Sequence, residues 1–185
     1  MNARQVDDAS RRLHDLGAQG IEDLAVSVVA IGLALTATQV RPELAFPFLL
    51  GAFGVGFLGM RAVVRRFFLV EDLAGDRDAY AIPAVRRFGL RATAPRHRHE
   101  LARSIRATAS LSTVVDRFRA VQPELEELVA VLEDDDRPLD PCAVVTLERW
   151  LNDPGESFRD ADAPVDELRS RLRRGLTELD RSPIP

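Results

Sequence analysis

Several residue types are scarce in this chain, and each scarcity excludes a class of protein. All 25 basic residues are arginine, with no lysine, which we interpret as the mark of a GC-rich bacterial genome. Cys142 is the only cysteine, so a disulfide framework is excluded and a zinc site would need other ligands. With 46% apolar and 29% charged residues, the composition is that of an ordinary folded protein.

Charge is absent from two neighbouring stretches of the chain. Residues 24–40 and 44–60 each contain 17 uncharged residues, and only residues 41–43 separate them. A helix that spans a bilayer core needs about 20 apolar residues, with a range of about 17–25. The pattern predicts a tight transmembrane helical hairpin, with spans at about 22–40 and 43–64. Two buried core helices remain the alternative, because both runs lie near the lower length limit.

Small residues recur within both uncharged stretches at helical spacing. Helices in lipid associate through close backbone contact, because no hydrophobic force drives them together. The predicted contact between the two spans therefore involves six small residues, namely Ala30, Ala34, Gly51, Ala52, Gly56 and Gly59.

Basic residues set the predicted orientation of the hairpin. Arg61, Arg65 and Arg66 follow the second uncharged stretch, and three further arginines precede the first. Because basic residues favour the cytoplasmic side, both termini are predicted to be cytoplasmic in a multi-pass plasma (inner) membrane protein. The three arginines would lie at the lipid headgroups, so the bilayer itself is a predicted partner.

The remainder of the chain is charged and has helical periodicity. Prolines at 83, 95, 123, 141 and 164 each precede a stretch of helical pattern, and proline is favoured at the first position of a helix. We therefore predict an all-α protein, in which a small cytoplasmic helical bundle follows the hairpin. The predicted divisions are a cytoplasmic N-terminal segment at 1–21, the hairpin at 22–70, a linker at 71–80 and the helical domain at 81–185.

Motifs that would bind a cofactor or a metal are weak. The glycines of 54–59 fit a dinucleotide-binding pattern, but no crossover helix and second strand follow them. His97 and His99 are two residues apart, so on a helix they would point in different directions. No cofactor and no metal are predicted.

Two charged clusters are candidates for contact with a partner. The last predicted helix carries four closely spaced arginines, and residues 133–136 form an acidic run. The acidic run could bind a cation or a basic partner, and a solvated loop is the alternative. The arginine cluster is the predicted partner surface and consists of Arg169, Arg171, Arg173 and Arg174.

These observations favour a membrane-anchored interaction or scaffold protein without a catalytic site. A cytoplasmic protein partner and a homo-oligomer are both expected, whereas the acidic net charge of −4 argues against nucleic acid. One alternative is a self-associating membrane protein of holin or small-channel type. A helical membrane enzyme whose catalytic residues are not recognisable is the other, with His97, His99 and 133–136 as its only visible candidates.

Overall fold

The computed structural model describes residues 3–40, 45–111, 115–153, 158, 160 and 162–181. Within these residues the chain forms eight α-helices and one short 3₁₀ helix, with no strand, which confirms the all-α prediction. The chain divides into two compact units, residues 1–72 and 73–185.

Unit 1 is built from two long helices, α1 (Ala3–Val40) and α2 (Ala45–Ala74). Small residues let the two helices approach each other. A methyl group placed on Gly20 would lie 3.7 Å from the Cβ of Ala62, and one on Gly17 would lie 2.8 Å from Nη1 of Arg66. Since the later residue of α1 faces the earlier residue of α2, the helices run antiparallel. The hairpin prediction is right in this respect.

The predicted membrane location is wrong. Among the described residues, no helix is both long and apolar enough to cross a bilayer. The uncharged part of α2 has 16 residues from its first residue to Met60 and covers about 24 Å at a rise of 1.5 Å per residue. A bilayer core is about 30 Å thick. The sequence prediction accepted each run of 17 uncharged residues as just long enough to span. Because no described helix meets the requirement, the transmembrane hairpin and the multi-pass plasma-membrane location with cytoplasmic termini are not retained.

Unit 2 is a small bundle of short helices. The stretch 71–80, predicted as a linker, contains the end of α2 and the start of the 3₁₀ helix, where Ala79 and Tyr80 are buried. The helices that follow are α3 (Pro83–Ala92), α4 (Pro95–Ala109), α5 (Val115–Arg119), α6 (Gln122–Glu133), α7 (Pro141–Asn152) and α8 (Val165–Leu179).

Proline marks the helix starts of unit 2, as the sequence predicts. Pro83, Pro95 and Pro141 are each the first residue of a helix, and Pro123 is the second residue of α6. Proline suits these positions because the missing amide hydrogen would have no partner in the first turn. At the start of α7 the Asp140 carboxylate also accepts a 3.0 Å hydrogen bond from the Cys142 amide.

The core of unit 2 lies where α6 packs against α4 and α8, and where α7 packs against α3 and α8. Leucines of α6 and α8 supply its centre and are fully buried, namely Leu128, Leu132, Leu168, Leu172 and Leu179. Burial of one such side chain stabilises a fold by about 1.5–3 kcal/mol. A second aromatic part of the core joins Phe118, Trp150 and Phe158, whose ring centroids lie 5.0 and 5.3 Å apart in edge-to-face pairs.

Candidate functional site

The outward face of α2 exposes large apolar side chains in a regular stripe. Its members follow each other at alternating intervals of three and four residues, and each is between 41% and 77% exposed. We call this stripe the outer seam, and it consists of Leu50, Phe53, Phe57, Met60, Val64 and Phe67. The 3–4 alternation is the spacing of the contact positions of a coiled coil. Exposed apolar patches of this kind mark interaction sites in folded proteins.

A different face of α2 is directed toward α1. Ala62 and Val63 approach Gly20 of α1, and Arg66 lies across Gly17. These three residues lie between positions of the outer seam in sequence, so they occupy another side of the helix. The helix therefore has one side that is covered within the hairpin and one apolar side that is not.

The small residues predicted to form the hairpin contact differ in how deeply they are buried. Gly59 is buried and Gly56 is half-buried, whereas Gly51 is exposed and has no neighbour within 4 Å of a Cβ placed on it. Ala30, Ala34 and Ala52 lie outside the residues whose side chains the structure describes. Their packing role stays a prediction.

The three arginines predicted to contact lipid headgroups are all exposed on α2. Arg66 lies across Gly17 of α1, so its guanidinium covers part of the hairpin interface. Arg61 directly follows Met60 and flanks the outer seam, and Arg65 is exposed beyond it. A headgroup contact by these residues stays a prediction.

The predicted arginine surface of α8 is divided by the fold. Arg169 and Arg173 both bind Glu124 of α6, at 3.4 and 2.9 Å, which holds α8 against α6. The pKa of Glu124 lies below its usual range, chiefly because of a hydrogen bond from its own backbone amide, with the Arg173 contact adding to the effect.

The two other arginines of α8 lie on a different side of the helix. Arg171 and Arg174 line a cavity of about 170 Å³ next to Trp150 and Glu178. Arg171 is also 3.8 Å from Glu167. Half of the predicted partner surface is therefore used to build unit 2, and only the other half borders an open cavity.

Two members of the acidic run and both histidines contact residues of neighbouring elements. Arg106 binds both oxygens of Glu133, which lowers the pKa of that carboxyl. His99 lies 3.1 Å from Asp135, and His97 lies 3.0 Å from Glu148 of α7. No described group of three or more potential ligands could hold a metal.

Arg98, between the two histidines, is a buried residue that the sequence did not identify. Its guanidinium donates to the carbonyl oxygens of Val131 at 3.0 Å, Leu132 at 3.1 Å and Asp134 at the end of α6, and to Arg137 at 3.3 Å beyond it. The last carbonyls of a helix have no partner within the helix and carry partial negative charge. The Arg98 guanidinium donates hydrogen bonds to these carbonyls and places a positive charge beside their partial negative charge. Its charge also offsets the acidic residues that follow the end of α6.

A second buried charge lies at the start of α7. Asp140 is 1% exposed and pairs with Arg77. Burial, with the nearby Asp140 charge adding to it, raises the pKa of the Cys142 thiol to about 11, so the thiol is protonated and unreactive at neutral pH. A cavity of about 300 Å³ borders these residues together with Thr146 and Arg181. Glu178 also lines the cavity, whereas the Asp140 carboxylate is already paired with Arg77.

A further groove of about 340 Å³ lies where the end of α4 meets α5 and α6. Phe118 and Leu125 line it together with Arg106 and Arg119. Arg106 is bound to Glu133 and Arg119 to Asp116. The groove therefore has a small apolar floor, and both of its arginines are already paired with carboxylates.

The outer seam was only partly visible in the sequence. The second half of the stripe, from Met60 to Phe68, has helical apolar spacing, which indicates a helix that continues past Arg61. The unbroken 3–4 spacing of large apolar residues from Leu50 to Phe67 could have indicated the whole seam. A transmembrane helix is expected to be apolar on every side, so this spacing was not considered separately.

Comparison of the chain with protein-family models, curated proteins and solved structures finds no match.

Proposed function

We propose that this chain is an interaction or scaffold protein that pairs with another helix through the outer seam of α2 and presents unit 2 as a folded domain. The observation that carries the proposal is the exposed 3–4 stripe, because six large apolar side chains in one line are costly to leave in water. The partner that fits is a protein helix with apolar residues at the same spacing, since knobs of one seam fill holes of another.

The composition of the seam also supports a protein contact. Three of its six members are phenylalanine and one is methionine, and aromatic residues and methionine are enriched in the cores of protein interfaces. Val63 and Phe68 are exposed beside the seam and widen the apolar surface.

Absence of a catalytic role is part of the proposal. The groups that could carry chemistry are engaged in building unit 2: His97 and His99 face carboxylates, the acid Asp140 pairs with Arg77, and the Cys142 thiol is buried. We retain the self-association of the channel-type alternative, but not its membrane setting.

Thiol accessibility in intact cells tests whether a partner covers the seam. The variants Phe57→Cys and Leu90→Cys are prepared in a full-length Cys142→Ala background. Both positions are exposed, at 63% and 53%, but Leu90 belongs to unit 2. Maleimide labelling is compared in cells and after purification at nanomolar concentration.

We expect Phe57→Cys to be protected at least tenfold in cells relative to Leu90→Cys, and to be labelled after dilution. Equal labelling of the two thiols in cells would contradict the proposal, because it would mean that no partner covers the seam. Protection that persists at nanomolar concentration would also contradict it, since the cover would then belong to the same chain.

A further inference from the structure

We infer that the helix that pairs with the outer seam is α2 of a second copy of this chain, in antiparallel orientation. Phe57 of each copy then faces Met60 of the other at the centre of the contact. This inference rests on the proposed function and identifies its partner.

The first argument is that the seam needs a facing seam of the same length and spacing. Among the described residues, α2 is the helix that exposes such a stripe. Among the side chains that the structure describes, no other helix exposes more than two large apolar residues; those outside α2 are Ile21, Val28, Leu90, Leu111 and Val115. The described part of the chain therefore supplies one matching surface, which is the seam itself.

The second argument is the area that would be buried. At these exposed fractions, and with about 150–250 Å² for a whole aromatic side chain, the six residues offer on the order of 700 Å² per copy. A standard protein interface buries about 800 Å² on each partner. Val63 and Phe68 beside the seam supply the remainder.

The third argument is the match of side-chain sizes, and it sets the orientation. In an antiparallel pair the seam is symmetric about the point between Phe57 and Met60. Every layer then joins one phenylalanine to one aliphatic or thioether side chain: Leu50 with Phe67, Phe53 with Val64, and Phe57 with Met60. Layers of one large and one smaller residue fill space evenly, and a thioether against an aromatic ring is favourable.

A parallel pair would stack identical residues instead. Three layers would then hold two phenylalanines each, while the Val64 layer would hold two small side chains. The layers would differ strongly in volume, which leaves gaps in one place and crowding in another.

Backbone shape and helix dipoles are compatible with this orientation. Gly54, beside the seam, has no neighbour within 4 Å of a Cβ placed on it, so a second helix can approach closely there. Antiparallel helix dipoles also attract each other.

Disulfide formation between two single-cysteine variants tests the orientation. Leu50→Cys and Phe67→Cys are made separately in the full-length Cys142→Ala chain, and one of them carries a tag that changes its mass. The two proteins are mixed at dilution, concentrated together and oxidised. In an antiparallel pair, Leu50→Cys meets Phe67→Cys, whereas two copies of Leu50→Cys lie about 26 Å apart along the axis.

We expect the mixed disulfide to exceed both homodisulfides by at least tenfold. A mixture of Leu90→Cys with Phe67→Cys is the matched control and should give no mixed product. Circular dichroism of each variant confirms that the helices are intact.

Other outcomes separate the inference from the proposed function. Homodisulfides at both positions would overturn the antiparallel orientation but leave self-pairing through the seam. No disulfide, with Phe57→Cys still protected in cells, would overturn the second copy as partner and leave the proposed function. Binding of the full chain to phosphatidylcholine–phosphatidylglycerol vesicles in place of any disulfide would assign the seam to lipid and overturn both.

Discussion

The two units of this chain differ in where their large apolar side chains lie. Unit 2 buries the core leucines of α6 and α8 and uses charges in pairs between helices, such as Arg106 with Glu133. Unit 1 buries small residues such as Gly17 and Gly20, whereas Phe53, Phe57 and Phe67 of α2 lie in solvent. The core of unit 2 is covered by side chains of the same unit. The hairpin buries glycines and exposes phenylalanines, and this difference suggests that another molecule covers the exposed side of α2.

The largest expected effect comes from deleting the same kind of side chain in each unit. Leu172→Ala removes a fully buried group, which lowers the unfolding free energy of unit 2 by about 2–5 kcal/mol. Phe57→Ala removes an exposed group, so unit 2 should unfold unchanged while association weakens. Trp150, the only tryptophan, lies in unit 2 and reports its urea transition by fluorescence. If both variants lowered the unfolding free energy of unit 2 equally, the proposed difference between a buried core in unit 2 and an exposed seam in unit 1 would be wrong.

The next effect concerns the buried arginine that ends α6. Arg98→Ala leaves several helix-end carbonyls without a donor, and we expect unit 2 to lose about 2–4 kcal/mol. Arg103→Ala, an exposed change on the same helix, is the control and should cost less than about 0.5 kcal/mol. Similar transitions for the two variants, followed by Trp150 fluorescence, would show that Arg98 does not stabilise the end of α6.

A pair of glycines sharpens the comparison further. A methyl group on Gly89 would lie 2.7 Å from Cε2 of Tyr80 and 3.1 Å from the Cβ of Pro141, so Gly89→Ala should destabilise unit 2 by about 1–3 kcal/mol. Gly51→Ala projects into open space on α2 and should increase helix content, since alanine favours a helix by about 0.5–1 kcal/mol over glycine. Circular dichroism checks the second change, and a loss of helix would instead place Gly51 in a packed contact.

The smallest expected effect is a dependence of unit 2 stability on pH. The Arg106 guanidinium holds the pKa of Glu133 below its usual value near 4.3. The stabilisation is therefore complete above that value and is lost as the pH falls through the lowered pKa of the folded state. Glu133→Gln should destabilise unit 2 at pH 7 and lessen the further loss between pH 5 and pH 3. Glu127→Gln, an exposed change on the same helix, should leave that loss as in the wild type.

Local features of the fold could be predicted from the sequence, because their causes lie within a few residues. The starts of α3, α4 and α7 follow from proline at the first position, and in α7 the preceding Asp140 caps the helix. The role of Arg98 could not be predicted, since its carbonyl partners lie 33 to 39 residues away. The pairing of His97 with Glu148 spans 51 residues and was hidden for the same reason.

The error about the membrane has a different origin. The absence of charge in 24–40 and 44–60 was taken to describe every side of the helices. In α2 the residues divide into a small-residue side toward α1 and an outer seam of large residues, and that division is a matter of spacing rather than of average apolarity. A test of the 3–4 spacing would have indicated a helix contact.

The molecular mass of the full chain in solution tests the central claim most directly. Sedimentation equilibrium is measured from about 1 to 100 μM protein, for the wild type and for Phe53→Gln/Phe57→Gln, with Leu90→Gln as the control. One chain has a mass of 20.5 kDa. We expect twice that mass for the wild type and the control, and the single-chain mass for the seam variant. A wild-type chain that remains at the single-chain mass over the whole range would contradict the assignment of the outer seam as a self-pairing surface.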